Sequence, residues 1–398
     1  MSTEATPGRA PRLRAARRQE DTVTPLELFF DLVFVLALTQ CTALMADNPT
    51  WEGLAQGMLV LGVLWWSWVG YSWLTSVVDP EEDLVRLVIF AAMAALLVVG
   101  LCVPEAFGDA ALAFALAYAF VRIAHMALFV IASRDDPEFR SSVVGLGVST
   151  AIASGLLVGA SFADGLPQGA LWALALALDM GGPYLFGAAG WRLAPHHFSE
   201  RHALIIIIAL GESIVAVGVG AEARVDFAIV LAAIGGTAVA AALWWLYFDV
   251  VFLVAGRRLA EAEVGRVQNE MARDSYSFLH FPMVAGIVLV ALGMKKTLGD
   301  TGEPLKLVPA AALLGGTAVY LLAHVAFRYR HVHTINTRRL ALAVLLALFI
   351  PAAVNIPALA TAGVLAAALA ILIVVETHAY GEARKRTRDE LRHGSVGH

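Results

Sequence analysis

Residues 199–218 read SERHALIIIIALGESIVAVG. Charged and imidazole groups open the stretch, and an apolar run follows from Ala203 to Leu210. Gly211, Glu212 and Ser213 interrupt that run, and Ile214–Gly218 resumes it. A hydrocarbon core of roughly 30 Å takes about 20 helical residues to cross, so this segment is long enough to span a bilayer. It then carries a carboxylate, Glu212, near mid-depth. An acid there is costly and by default marks a functional site or a buried pair.

The same pattern recurs along the whole chain. Its 398 residues are 59% hydrophobic and 15% charged, with a mean hydropathy of +0.73. Soluble domains carry about a quarter charged residues, so the expectation is an all-α, polytopic transmembrane helical bundle. About 12 spans can be drawn, near 25–46, 53–78, 84–104, 109–132, 141–162, 168–190, 202–219, 226–253, 276–294, 305–327, 338–356 and 358–377. The last two are open to reading as one re-entrant hairpin around Asn355, Ile356 and Pro357. They divide the chain into a basic tail (1–24), two six-helix halves (25–190 and 191–380) and a charged tail (381–398). That second tail is expected to lose structure after a first helical turn.

Charge orients these spans. With the N-terminus inside, twenty-three Lys and Arg fall on the cytoplasmic side. Four fall outside (Arg224, Lys295, Lys296 and Lys306), and Arg122 lies within a span. The positive-inside rule therefore puts both termini in the cytoplasm. The Arg-rich first twenty residues lack a short apolar region with a cleavage site and read as a retained tail. Cys41 and Cys102 sit in apolar runs and read as small core residues.

Individual residues then stand out. Thr24-Pro25-Leu26-Glu27 has the form of a capping box with proline at the first helical position. Asp31 lies one turn beyond Glu27 on the same face, with Thr42 further along. The cap accounts for Glu27 but not for Asp31, which needs a basic partner or a polar interior. Trp65, Trp66, Trp68, Tyr71 and Trp73 cross more than two turns of the second span, so some of these rings should face other helices. Arg122 and His125 share a face of the fourth span, and Arg122 is a candidate partner for Asp31, Asp179 or Glu212. Asp179 precedes Gly181-Gly182-Pro183, a sequence that marks a kink or a broken helix. His196, His197 and His202 lack the carboxylate or thiolate companions of a metal site and are expected to be solvated at an interface, with Ser199 as the helix cap. His280, His324 and Glu376 are likewise expected at the interface.

The halves show a faint repeat. LALTQ (36–40) pairs with IALGE (208–212), and WWSWVGY (65–71) with WWLYFDV (244–250). Such pairs suggest a 6+6 parallel duplication.

ELFFDLVFVLALTQ (27–40) and ERHALIIIIALGES (200–213), in this order and spacing, resemble the low temperature requirement A family of bacterial membrane proteins. The likeness covers most of the chain. It singles out Glu27, Phe29, Phe30, Asp31, Gln40, Glu200, Arg201, Gly211, Glu212 and Ser213. It implies a multi-pass protein of the bacterial inner membrane; the family's name records growth in the cold, not an activity.

No nucleotide-binding, hydrolase or metalloprotease motif is present, and no large soluble domain could host an ATPase. The leading expectation is a secondary transporter coupled to protons or ions. Its candidate coupling residues are Glu212 first, then Asp179, Asp31, Arg122, Ser213 and His125. The alternatives are a non-catalytic scaffold or sensor, and an intramembrane enzyme using buried acids and histidines on an apolar substrate. The expected partners are the bilayer and a small-molecule or ion substrate, with a homo-oligomer compatible. No cofactor, metal or nucleic acid is expected.

Overall fold

The first helix begins where its cap dictates. Thr24 Oγ1 faces the Glu27 amide at 3.4 Å, and the Glu27 carboxylate accepts from the Thr24 amide at 2.8 Å. With Pro25 at the first position, this launches α1 (Pro25–Asp47). The structure is a computed structural model and describes residues 22–186, 190–220 and 226–394. Arg224 and most of the N-terminal basic tail lie outside the described residues.

The chain continues as α2 (Trp51–Val77), α3 (Asp83–Cys102), α4 (Ala111–Ala132), α5 (Pro137–Ala160), α6 (Gly165–Leu185), α7 (Pro195–Gly220) and α8 (Phe227–Phe248). A short amphipathic α9 (Val251–Glu261) leads into the helical rods α10 (Arg266–Gly299) and α11 (Leu307–Val332). Then come α12 (Thr337–Ala353) and α13 (Ala358–Gly394). Asp and Asn side chains cap α5, α8 and α12, where Asp136, Asp226 and Asn336 each accept an amide three residues on.

Among the described residues, nine helices are long and apolar enough to cross a membrane. α6, α7 and α12 occupy the sixth, seventh and eleventh of the spans drawn from sequence. The protein is a helical membrane bundle. Its outward faces carry large apolar side chains such as Leu32, Leu101, Leu116 and Ile123, each at least half exposed. Lipid covers such faces.

Burial separates centre from rim. In their most apolar stretch, 72% of α10 is buried and 67% of α2 and α11, against 33% of α8 and α13. α10 packs against α7, α11 and α1. Its approach to α11 depends on glycine: a Cβ at Gly286 would meet Gly316 O at 2.6 Å. Small residues allow this backbone contact where there is no hydrophobic drive between helices. Within α10 a π-helical turn spans Ala272–Phe278. Carbonyls within it accept from side chains, Ser277 O from Trp65 Nε1 (2.8 Å) and Ser275 O from His280 Nδ1 (3.1 Å).

The packing order of one half recurs in the other. α1 lies on α2 and α3, α3 on α4, α4 on α5, α5 on α6, and α6 returns to α2. α7 lies on α8 and α10, α10 on α11, α11 on α12, α12 on α13, and α13 returns to α8.

Three local expectations are corrected. α6 is not broken at Gly181–Pro183; it runs unbroken to Leu185, with Pro183 in its last turn. There the proline merely removes the donor that Asp179 O would have had. α7 starts at Pro195 rather than near Ser199, because proline suits a first helical position, and Ser199 lies inside the helix, donating to His196 O. The charged C-terminal stretch continues α13 to Gly394, as its Glu, Arg and Lys content favours.

Candidate functional site

α4 carries Arg122 near its midpoint, where it is 3% exposed. A guanidinium cannot be left unpaired at that depth, and three elements meet it. Its Nη2 donates to Asp179 Oδ1 of α6 at 2.8 Å and to Thr150 Oγ1 of α5 at 2.9 Å. Its Nη1 donates to Trp66 O of α2 at 3.4 Å. The Thr150 hydroxyl in turn donates a hydrogen bond to Asp179 Oδ1 at 2.9 Å, and Tyr118 OH reaches Oδ2 at 3.5 Å. Of the three acids open to Arg122 from sequence, Asp179 takes it.

Arg122, Thr150 and Asp179 line a cavity of about 70 Å³ between α2, α4, α5, α6 and α10, walled also by Trp66, Gly70, Trp73, His125 and Arg273. That is room for a few waters or a small solute. Gly70 keeps the wall open, since a Cβ there would sit 2.9 Å from Arg122 Nη1 and 3.0 Å from the His125 ring. Arg122 Nε is buried without a hydrogen bond, while His125 meets the Gly70 backbone. Buried polar atoms are normally satisfied, so the guanidinium keeps a donor available to an occupant.

Asp31 belongs elsewhere. It accepts from Arg201 Nη2 of α7 at 2.7 Å and from Trp68 Nε1 of α2 at 2.9 Å. Glu27 Oε1 lies 3.2 Å from Arg201 Nη1 and 2.7 Å from His197 Nε2. Arg201 also stands over the Trp68 ring at 5.5 Å. Glu27, Asp31, His197 and Arg201 are each at most 1% exposed and line none of the cavities described here. The two sequence motifs therefore hold each other: the acids of α1 clamp the cation of α7. Glu200 joins them, accepting from Val23 N at 3.4 Å. Phe30 stacks on Tyr71 at 4.7 Å, whereas Phe29 is 52% exposed on the outer face.

Glu212 makes neither contact. It is 1% exposed, beside Thr42 of α1 and in electrostatic range of Lys295 of α10. Thr42 is the side chain that reaches the Glu212 carboxylate, and its hydroxyl also donates back to Leu38 O at 3.3 Å. Ser213 bonds its own helix at Leu210 O (2.7 Å), Gln40 is half-buried, and a Cβ at Gly211 would meet nothing within 4 Å. The candidate coupling residues thus fall in three places. Arg122, Asp179 and His125 converge; Asp31 and the Glu212–Ser213 pair stand apart.

Several histidines depart from the interfacial expectation. His197 and His202 are fully buried because the earlier start of α7 carries them into the bundle, and His202 packs edge-on against Trp68 at 5.0 Å. His196 alone of that cluster is exposed. His280 accepts from Tyr247 OH at 2.8 Å. His324 and Glu376 meet at Arg339, whose Nη1 lies 3.0 Å from His324 Nδ1 and whose Nη2 donates to Glu376 Oε2 at 2.9 Å. Sequence reading missed Arg339 because it falls at a helix start, where cations are ordinary; an acid on the following helix was the available signal. Among the described residues, no three His, Cys, Asp or Glu side chains cluster as a metal site requires.

A relative in Rhizobium meliloti (strain 1021), itself described as uncharacterized, is 28% identical over 317 residues, 74% of each chain. No solved structure matches. The model of the bacterial low temperature requirement A protein matches residues 22–375. That match takes in both motifs and every helix they join, and the chain belongs to the low temperature requirement A family.

Proposed function

We propose that this protein is a secondary transporter of the bacterial cell membrane, with about 12 spans, both termini in the cytoplasm and its solute site at Arg122–Asp179. One observation carries the reading: a buried guanidinium–carboxylate pair, with one guanidinium nitrogen still unsatisfied, lines a cavity that His125 also walls. A pair in that position can exchange partners. A solute carboxylate, or a proton on Asp179, would weaken the Arg122–Asp179 contact, and Thr150 offers a second acceptor for Arg122 while it is broken. Coupling then needs no residue outside the cavity. Asp179 is the preferred coupling acid over Glu212, which lines none of the cavities. The paired Glu27, Asp31 and Arg201 are assigned to holding the halves together.

The test is reconstitution into vesicles with an imposed pH gradient and a panel of small carboxylates, amides and cations. Wild type is expected to couple uptake of at least one compound to proton movement, and Asp179→Asn to retain binding but lose coupling. No uptake by wild type, or equal coupling in Asp179→Asn, would reject the assignment.

A further inference from the structure

The second half repeats the plan of the first around a larger cavity. In the first half an arginine joins a carbonyl of α2 (Trp66) to a carboxylate of α6 (Asp179). In the second, Arg339 joins a carbonyl of α8 (Leu246, 3.2 Å) to a carboxylate of α13 (Glu376, 2.9 Å). A tyrosine hydroxyl ties helix pairs in each: Tyr71 OH to Val121 O at 3.0 Å, and Tyr320 OH to Leu243 O at 2.8 Å. Trp66 lines the first cavity and Trp245, its counterpart in the WW repeat, lines the second. The arginine comes from α4 in one half and from the start of α12 in the other, so the plan is shared while the residue is not.

The second cavity measures about 420 Å³ between α8, α9, α11, α12 and α13. Two acids and two arginines line it, Asp249 and Glu376 with Arg328 and Arg339: Glu376 takes Arg339 and also Asn336 Nδ2 at 2.7 Å, and Arg328 donates to Thr334 Oγ1 at 3.0 Å. What remains free is imidazole. His324 Nε2 and His331 Nε2 are buried without partners, on side chains 1% and 8% exposed. Their other nitrogens assign the protons. His331 Nδ1 lies 2.9 Å from Phe327 O, which can only accept, so its Nε2 is an acceptor. His324 Nδ1 faces a guanidinium, which can only donate, so its Nε2 is a donor. Seven residues separate the two, about 10 Å along α11 at 1.5 Å per residue. Val250, Val254 and Ile373 contribute apolar wall around them.

We infer that the C-terminal half holds a second, independent site for a small neutral amphipathic molecule. The ligand presents a hydrogen-bond acceptor to His324 at the deep end and a donor to His331 at the outer end, with an apolar body between them. Two acids and two arginines in the lining leave no net charge for an ion to answer, and neutral imidazoles suit a neutral ligand.

The test uses the full chain in lipid nanodiscs with 4-hydroxybenzamide as probe, which carries a carbonyl at one end and a hydroxyl at the other. Saturation-transfer NMR should show saturable binding. His324→Asn and His331→Asn keep the Nδ1 position and remove the free nitrogen, and each should weaken binding about tenfold. Val254→Trp, which fills the cavity, should abolish it, and Arg122→Gln in the other half should leave it unchanged. Absence of saturable binding, binding that persists in Val254→Trp, or a phospholipid chain co-purifying in the cavity would overturn the inference.

Discussion

Arg201 and Asp31 are 170 residues apart in sequence and 2.7 Å apart in space, at 1% and 0% exposure. Each belongs to a motif that looks functional by itself, and each is the other's reason for being there.

Removing one member of that pair strands a buried charge. Arg201→Met should cost about 3–5 kcal/mol, the usual penalty for breaking a buried pair from one side. Asp31→Asn, which keeps an acceptor for Trp68 Nε1, should cost less. The combined variant should be more stable than the sum of the two losses, because Asp31 no longer carries a stranded charge and Glu27 keeps His197 at 2.7 Å. Unfolding in detergent titrations measures all three; additive losses would show that the contact carries no coupling energy.

Glu212→Gln should behave in the opposite way. The side chain that reaches the carboxylate is Thr42, and the amide is nearly isosteric and can keep that contact, so stability should hold or rise. Proton-coupled uptake should also match wild type if Asp179 is the coupling acid. A large loss of coupling in Glu212→Gln with intact folding would move the site to α7.

Gly70→Ala tests the first cavity with a single methyl. The new Cβ would lie 2.9 Å from Arg122 Nη1 and 3.0 Å from His125. Both neighbours are side-chain ends that can shift, so the helix pair should survive with a loss of about 1 kcal/mol, at the low end of overpacking costs. Solute uptake should fall at least tenfold, while thermal unfolding stays cooperative. Uptake at the wild-type rate would mean that the cavity is not on the path.

Trp68→Phe removes one donor to Asp31 and keeps most of the ring. A hydrogen bond to a charged group contributes about 1.5–3 kcal/mol, so destabilisation should fall in that range. Trp73→Phe loses a neutral bond, to Ser277 Oγ at 2.9 Å, and should cost about 1 kcal/mol. Equal losses in the two variants would argue that ring packing, not the charge on Asp31, sets the energy.

Much of the architecture could be read without coordinates. Apolar runs of bilayer length located the helices, since backbone groups in lipid can be satisfied only within the helix itself. Thr24 and Glu27 marked the first cap through contacts three residues apart, and Arg122 announced that a buried acid must answer it. Which acid answered was not written locally. Asp31, Asp179 and Glu212 are chemically similar acids in similar apolar surroundings. Only the packing of α4 on α5 and α6, and of α1 on α7, brings Asp179 to Arg122 and Asp31 to Arg201. The same holds for His197, His324, Arg339 and Glu376. Near a helix end, sequence does not distinguish a side chain that reaches water from one that a neighbouring helix covers. Helix formation is a local property of the chain; pairing between helices depends on rotations and offsets that the tertiary structure alone decides.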